Sequence, residues 1–207
     1  MIPLPLDFYL RPTAQVARDL LGALIVRDSV VLRVTEVEAY GPSDSACHAY
    51  RGITKRNAAM FGLGGHAYVY LCYGLHHMLN FVTEREGIGA AVLIRSCEPV
   101  AGESAIVERR GGLAGTRLLT GPGCVGQALA LTLGDNGTPL FGGGVIQVCE
   151  GRLPALILAG PRVGIDYALR RDVRAPWRFA DGDSHWVSNR RGLKALRVKG
   201  RPAAAHS

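Results

Sequence analysis

Between Pro12 and Leu21, Val16, Ala17, Leu20 and Leu21 fall on one helical face. Pro12 suits a first turn and Gly22 an end, so this pattern predicts a helix. The period then changes. Ala23–Arg27 and Val30–Ala39 read as strands joined at Asp28-Ser29. In the second strand, Leu32, Val34 and Val37 are apolar, while Arg33, Thr35, Glu36 and Glu38 are polar. That alternation slips near its end, which predicts a β-bulge. Gly41 to Gly65 has little periodicity and carries Arg51, Lys55 and Arg56. A stretch of that length without elements points to a functional or disordered loop.

Beyond this loop, Ala67–Leu71 and His76–Val82 predict a hairpin with Tyr73-Gly74 at its turn. Gly89–Cys97 is a further strand, rich in β-branched and aliphatic residues. Pro99–Arg110 and Gly123–Leu131 predict helices. Gly142-Gly143-Gly144 is a turn before a strand at Val145–Cys149, and Leu156 to Ile165 offers one or two short strands. From Arg170 the chain is strongly basic, and the closing RPAAAHS predicts a disordered tail. No stretch reads as a linker. The expectation is an α+β fold, mostly antiparallel, with a single domain over residues 1–200 and a tail at 201–207.

Composition narrows this picture. The chain has 207 residues, 48% of them hydrophobic, which is ample for one packed core. No apolar run approaches the ~18–20 residues that span a bilayer. The start, MIPLPLDFYLRP, lacks the basic residues and long apolar centre of a signal peptide. A protein that is neither secreted nor membrane-bound is expected. The five cysteines are an odd number with no CxxC pair, which predicts free, mostly buried thiols and no zinc ribbon. Net charge is +7, and nearly all the basic residues are arginine. A planar guanidinium grips phosphate bidentately, so the balance favours a polyanionic partner.

Candidate chemistry gathers in two places. Five of the seven tyrosines lie between Tyr40 and Tyr73. Tyr68 and Tyr70 share a strand face, and Tyr73 sits at the hairpin tip. The set fits either a core aromatic cluster or a stacking wall with a wedge for nucleic acid. Glu36 and Glu38, two apart on a strand, share one face, which suits either solvent-facing charges or a catalytic acid at a strand end. His48 is more simply a hydrogen-bonded structural residue than a ligand. His76-His77 face opposite ways and make a poor metal pair, and no metal constellation has convincing spacing. GPGCVGQAL is a weak anion-site candidate before a helix. Three readings stay open on the residues alone: a DNA-modifying enzyme, a non-catalytic nucleic-acid binder, and a hydrolase of free nucleosides.

In order, VTEVEAYGPSDSACHA, TKRNAAMF, YVYLCYGLHHMLN, AVLIRSCEP, GPGCVGQAL and PRVGI resemble the alkyladenine (3-methyladenine) DNA glycosylase family of the mammalian type, over roughly Thr13 to Ser188. The resemblance implies a curved antiparallel sheet with flanking helices and a protruding hairpin that enters the DNA minor groove. It implies Glu38 as general base, with Arg95 and Val163 around the attacking water. Tyr40, His48, Tyr70 and Asn80 would form the base pocket, with Val163 at its edge. Tyr73 would be the intercalating wedge, and Thr54 and Arg56 would lie near the DNA backbone. The implied partner is double-stranded DNA containing a damaged purine, met by a monomer in the cytoplasm or nucleoid of a bacterium, or in a eukaryotic nucleus. The only lysines are Lys55, Lys194 and Lys199, none in a pocket motif. A Schiff base needs an amine, so the expectation is a water nucleophile, no strand cleavage, no metal and no cofactor.

Overall fold

A computed structural model describes residues 1–196, so the expected tail at RPAAAHS lies outside the described residues. In chain order the helices are α1 (Leu6–Tyr9), α2 (Thr13–Asp19), α3 (Glu103–Arg109), α4 (Pro122–Ala128) and α5 (Arg170–Arg174). The strands are β1 (Leu24–Arg27), β2 (Val30–Tyr40), β3 (Ala67–Cys72), β4 (His76–Val82), β5 (Ala91–Ala101), β6 (Gln147–Cys149), β7 (Ile157–Gly160), β8 (Arg178–Asp181) and β9 (Lys194–Ala195). They form one sheet in the order β3-β4-β5-β2-β8-β7-β9, with β1 pairing to both β2 and β6. Every pairing is antiparallel. This is the expected α+β class.

The long β2–β5 pair is the spine of the sheet, and its register changes in the middle. Val34 pairs with Cys97, Glu36 with Ser96, and Val37 with Ile94. Thr35 on β2 and Arg95 on β5 are each skipped, so two offset bulges face one another. A skipped residue reverses which face the following side chains take. Before it, Leu32 and Val34 enter the main core; after it, Val37 and Ala39 do. Glu36, Glu38 and Tyr40 are thereby turned to the opposite face. The slip read from the apolar pattern is this bulge.

The two faces are covered differently. On one, Val16, Ala17, Leu20 and Leu21 around α2, and Val125, Ala128 and Leu129 around α4, pack on Val34, Val37, Leu79, Phe81, Val92 and Ile94. On the other lies the 41–65 loop, whose only regular piece is a 3-10 turn at Ala58–Phe61. A smaller cluster of Cys47, Ala49, Met60, Tyr68, Val82 and Ala91 fastens it. The β3–β4 hairpin forms as predicted, with Tyr73 at positive φ (49°) in its turn.

Three expectations need correction. The segment expected to be helical from Pro99 continues as strand to Ala101, and α3 starts at Glu103. Pro99 lies opposite Leu32 beside a register irregularity, where a missing N–H is tolerated; Gly102 at φ 75° then turns the chain into the helix. Leu156 to Ile165 holds a single strand, β7, followed by a loop. The basic segment after Arg170 contains α5, β8 and β9, none of which was anticipated. Arginines at the ends of short elements hide their apolar pattern, and Arg178 on β8 is buried. Of the five thiols, Cys47, Cys97 and Cys149 are buried and Cys72 and Cys124 half-buried. Among the described residues, no helix is long and apolar enough to cross a membrane.

Helix α4 approaches β4 backbone to backbone through its glycines. A Cβ at Gly126 would collide with the His77 carbonyl. Gly126→Ala should therefore push α4 from the sheet and cost about 1–3 kcal/mol, as overpacking does. At roughly 2–4 °C per kcal/mol for a chain this size, a thermal melt should show Tm lowered by several degrees; an unchanged Tm would contradict the packing.

Candidate active site

The bulge delivers two carboxylates to a buried position, where each needs compensation. Glu36 receives most of it. Its Oε1 accepts from Arg95 Nε at 3.0 Å, Arg178 Nε at 2.7 Å and Ser188 Oγ at 2.9 Å. Its Oε2 accepts from Ser96 Oγ at 2.8 Å and from the Ser188 backbone N–H at 2.7 Å. Burial alone would raise its pKa, but the two guanidiniums and the hydroxyl and amide donors hold it below the ordinary glutamate value. Arg95 is shared: its Nη1 lies 3.3 Å from Glu38 Oε1. Burial pulls Arg95 down, and the two carboxylates outweigh that and raise it.

Glu38 has two further partners. The Val163 N–H donates to Oε1 at 2.8 Å, and the Tyr40 hydroxyl donates to Oε2 at 2.8 Å. Burial and the Glu38 charge push the Tyr40 phenol well above its usual range, so it stays a donor. Val163 is held in place by its neighbour. The buried Arg162 forms a bidentate pair with Asp44 and donates to the Ala39 carbonyl at 2.8 Å and to the Asp172 carbonyl at 3.2 Å. Its guanidinium also lies 4.7 Å from the Tyr40 ring centroid. This clamp ties the 41–65 loop, the end of β2 and the loop after β7 together.

Glu38 and Tyr40 open onto a cavity of about 450 Å³. Arg95 and Val163 share its Glu38 end. His48, Tyr70 and Asn80 line its sides, and Arg56 and Tyr73 its mouth. His48 Nδ1 is 3.0 Å from the Tyr68 hydroxyl, and its ring meets that of Tyr70 edge-on at 4.7 Å. Burial, and then the nearby Arg56 charge, lower its pKa, which favours the neutral ring. Asn80 donates to the Tyr68 carbonyl at 3.0 Å, fixing its amide against β3. Arg56 lies 5.4 Å over the Tyr70 ring. Tyr73 is 94% exposed. Thr54 alone of the expected residues lies outside the cavity. It is exposed, and its N–H and hydroxyl bond to Asn57 in the turn that leads to Arg56. Among the described residues, no three His, Cys, Asp or Glu gather as metal ligands.

This arrangement, a buried carboxylate facing an aromatic chamber with an exposed phenol at its mouth, has a counterpart in known proteins. The model of the methylpurine-DNA glycosylase family matches residues 7–185. The chain belongs to this family. It is 54% identical over 187 residues to a DNA-3-methyladenine glycosylase of Arabidopsis thaliana, covering 89% of this chain and 74% of the relative. It is equally identical over 192 residues to a putative 3-methyladenine DNA glycosylase of Nitrosococcus oceani, covering 92% and 96%. A putative 3-methyladenine DNA glycosylase of Methanocella arvoryzae is 47% identical over 193 residues. Membership makes the protein an enzyme of DNA repair, a hydrolase of N-glycosyl bonds.

Sequence reasoning overlooked several residues that this glycosylase fold brings to the site. Glu36 was visible as half of E-x-E, but its five donors come from β5, β8 and the Ser188 segment. The Arg162–Asp44 pair joins residues far apart in the chain and carried no local signal. Tyr167, in the cavity lining and 72% exposed, was the one tyrosine beyond the cluster that could have been suspected.

Glu36→Gln would leave Arg178 and part of Arg95 buried without a full counter-charge. Breaking such a pair costs about 3–5 kcal/mol, which denaturant unfolding should show. The folded pKa lies below the unfolded one, so the charge contributes stability above the unfolded value, lost as pH falls through the folded value. Wild type should therefore lose stability more steeply than Glu36→Gln in the acid range below pH 4.5.

Proposed function

We propose that the protein is a monofunctional glycosylase acting on double-stranded DNA. It removes alkylated or deaminated purines, such as 3-methyladenine, 7-methylguanine, hypoxanthine and ethenoadenine, and so starts base excision repair. The observation that carries this reading is the buried Glu38 carboxylate at the wall of the tyrosine chamber. A base inside a duplex cannot reach a buried group, so the nucleotide must be rotated out, at a cost of a few kcal/mol. Tyr73, exposed at the hairpin tip with Leu75 beside it, fits the role of a wedge filling the vacated space. Arg51, Lys55 and Arg56 form an exposed basic rim for phosphates, with Thr54 among them.

In the chamber, the base would lie among Tyr40, His48 and Tyr70. Arg162 covers one face of Tyr40, leaving the other for stacking. A purine alkylated at N3 or N7 is cationic, and aromatic faces attract cations by about 0.5–2 kcal/mol. A neutral His48 adds no opposing charge. Asn80, fixed against β3, narrows the side of the pocket where a normal guanine would carry its 2-amino group. Glu38 then takes a proton from a water whose oxygen bonds to the sugar C1′. The glycosidic bond breaks and its electron pair leaves with the base, while the carboxylate steadies the oxocarbenium charge. Among the described residues no lysine lines the cavity, which supports water as the nucleophile and an intact strand as product. A non-catalytic binder has no use for a carboxylate beside a phosphate path, and a hydrolase of free nucleosides none for an exposed wedge.

Glu38→Gln should lower single-turnover release of ethenoadenine or hypoxanthine by about 100-fold or more, as loss of a general base does, with duplex affinity changed only a few-fold. Release near the wild-type rate would remove the basis of the reading. Tyr73→Ser should keep the chemistry and lose flipping. The fluorescence of an extruded ethenoadenine should develop more weakly, and release should slow in proportion.

A further inference from the structure

Beside the cavity lies a second groove of the same volume, about 450 Å³. The two share Ala46, His48 and Tyr167, so they are continuous. Tyr167 stands between them, its hydroxyl donating to the Ala46 carbonyl at 3.3 Å. The groove's walls are apolar and open: Tyr167 is 72% exposed, Leu169 50% and Tyr50 45%. Neither tyrosine is spent on the core, and neither belongs to the aromatic set around Glu38. Arg51, exposed, supplies a cation at the edge. Below them, burial pushes the Cys47 thiol up to about 11, so it adds no anion. The carboxylate of Asp172 is already engaged by the Ser45 N–H and hydroxyl and by Arg171.

We propose that this groove is a subsite for the nucleotide next to the extruded one on the same DNA strand. Its base packs on Tyr167 and Tyr50, and its phosphate meets Arg51. This inference rests on the glycosylase reading. Continuity selects the occupant. A strand with one nucleotide in the Glu38 cavity carries the next on a single phosphodiester, and that neighbour must leave across the rim. On the Tyr73 side the wedge fills the stack, whereas on the Tyr167 side two open phenols and a guanidinium offer what a displaced nucleotide lacks: a π-face and a counter-charge. Tyr167 would thus grip both nucleotides, the extruded one with one edge of its ring and the neighbour with the other.

The test compares wild type with Tyr167→Ala, Tyr50→Ala and Tyr167→Phe on duplexes holding one ethenoadenine. In separate duplexes a base-less spacer replaces the nucleotide 5′ to the lesion, 3′ to it, or in the opposite strand. Affinity and single-turnover release are both measured. One flanking spacer should weaken wild type about tenfold, as loss of a stacked base does. Each alanine variant should show a similar loss on the intact duplex and no further loss on that spacer duplex, and the affected side identifies the neighbour as 5′ or 3′. Tyr167→Phe, which keeps the ring but not the bond to Ala46, should retain sensitivity to the spacer. Alanine variants that bind the intact duplex like wild type, or lose affinity equally on every duplex, overturn the subsite. So does a Phe variant that behaves like Ala, because the tyrosine would then only hold the loop. Wild type that releases no altered purine defeats the glycosylase reading instead, whatever the binding data show.

Discussion

A carboxylate can be buried only where cations and hydrogen-bond donors replace the water it has given up. In this protein that requirement is met once, at Glu36, and much of the architecture converges there. The donors come from β5, β8 and the segment around Ser188, so one side chain on β2 joins three remote parts of the chain. Glu38 depends on the same arrangement. Arg95 reaches it only because its Nε is already fixed on Glu36 and because the bulge in β5 frees it from the regular alternation. The catalytic role proposed for Glu38 is therefore inseparable from how the sheet is bent. If the two bulges were ironed out, both glutamates would turn toward α2 and α4, into an apolar core with nothing to receive them.

The parts legible in the sequence were those written in local periodicity. The slip between Val34 and Val37 marked the bulge, and the tyrosines flanking a Tyr-Gly turn marked the hairpin. The matched family motifs gathered nine of the ten expected site residues around one cavity, with only Thr54 outside it. What escaped was non-local. Glu36 meets partners as far along the chain as Ser188, and Arg162 meets Asp44 across two loops; no window of adjacent residues records such a pairing. The strand β8 was hidden for a related reason. Its buried Arg178 looks like a surface charge until Glu36 is placed opposite it. Pro99 misled in the other direction, since proline opens helices well but also tolerates a strand position where the ladder is already broken.

The distribution of charge follows from this division. Arg95, Arg178 and Arg162 are buried and matched by Glu36, Glu38 and Asp44. These groups cancel, so the net charge of +7 resides on other residues, among them the exposed Arg51, Lys55 and Arg56 at the cavity rim. Exposed charges act at long range and are screened within about 8–10 Å at ordinary ionic strength, whereas buried pairs are little affected. On the proposed function, one set of arginines would draw in and position a duplex, and its contribution would fade with salt. The other set would hold a carboxylate in place for the reaction, and that geometry would not change with salt. Separating attraction from chemistry in this way lets a strongly basic protein keep an acidic catalytic group within a few ångströms of arginine without the surface field deciding how that group behaves.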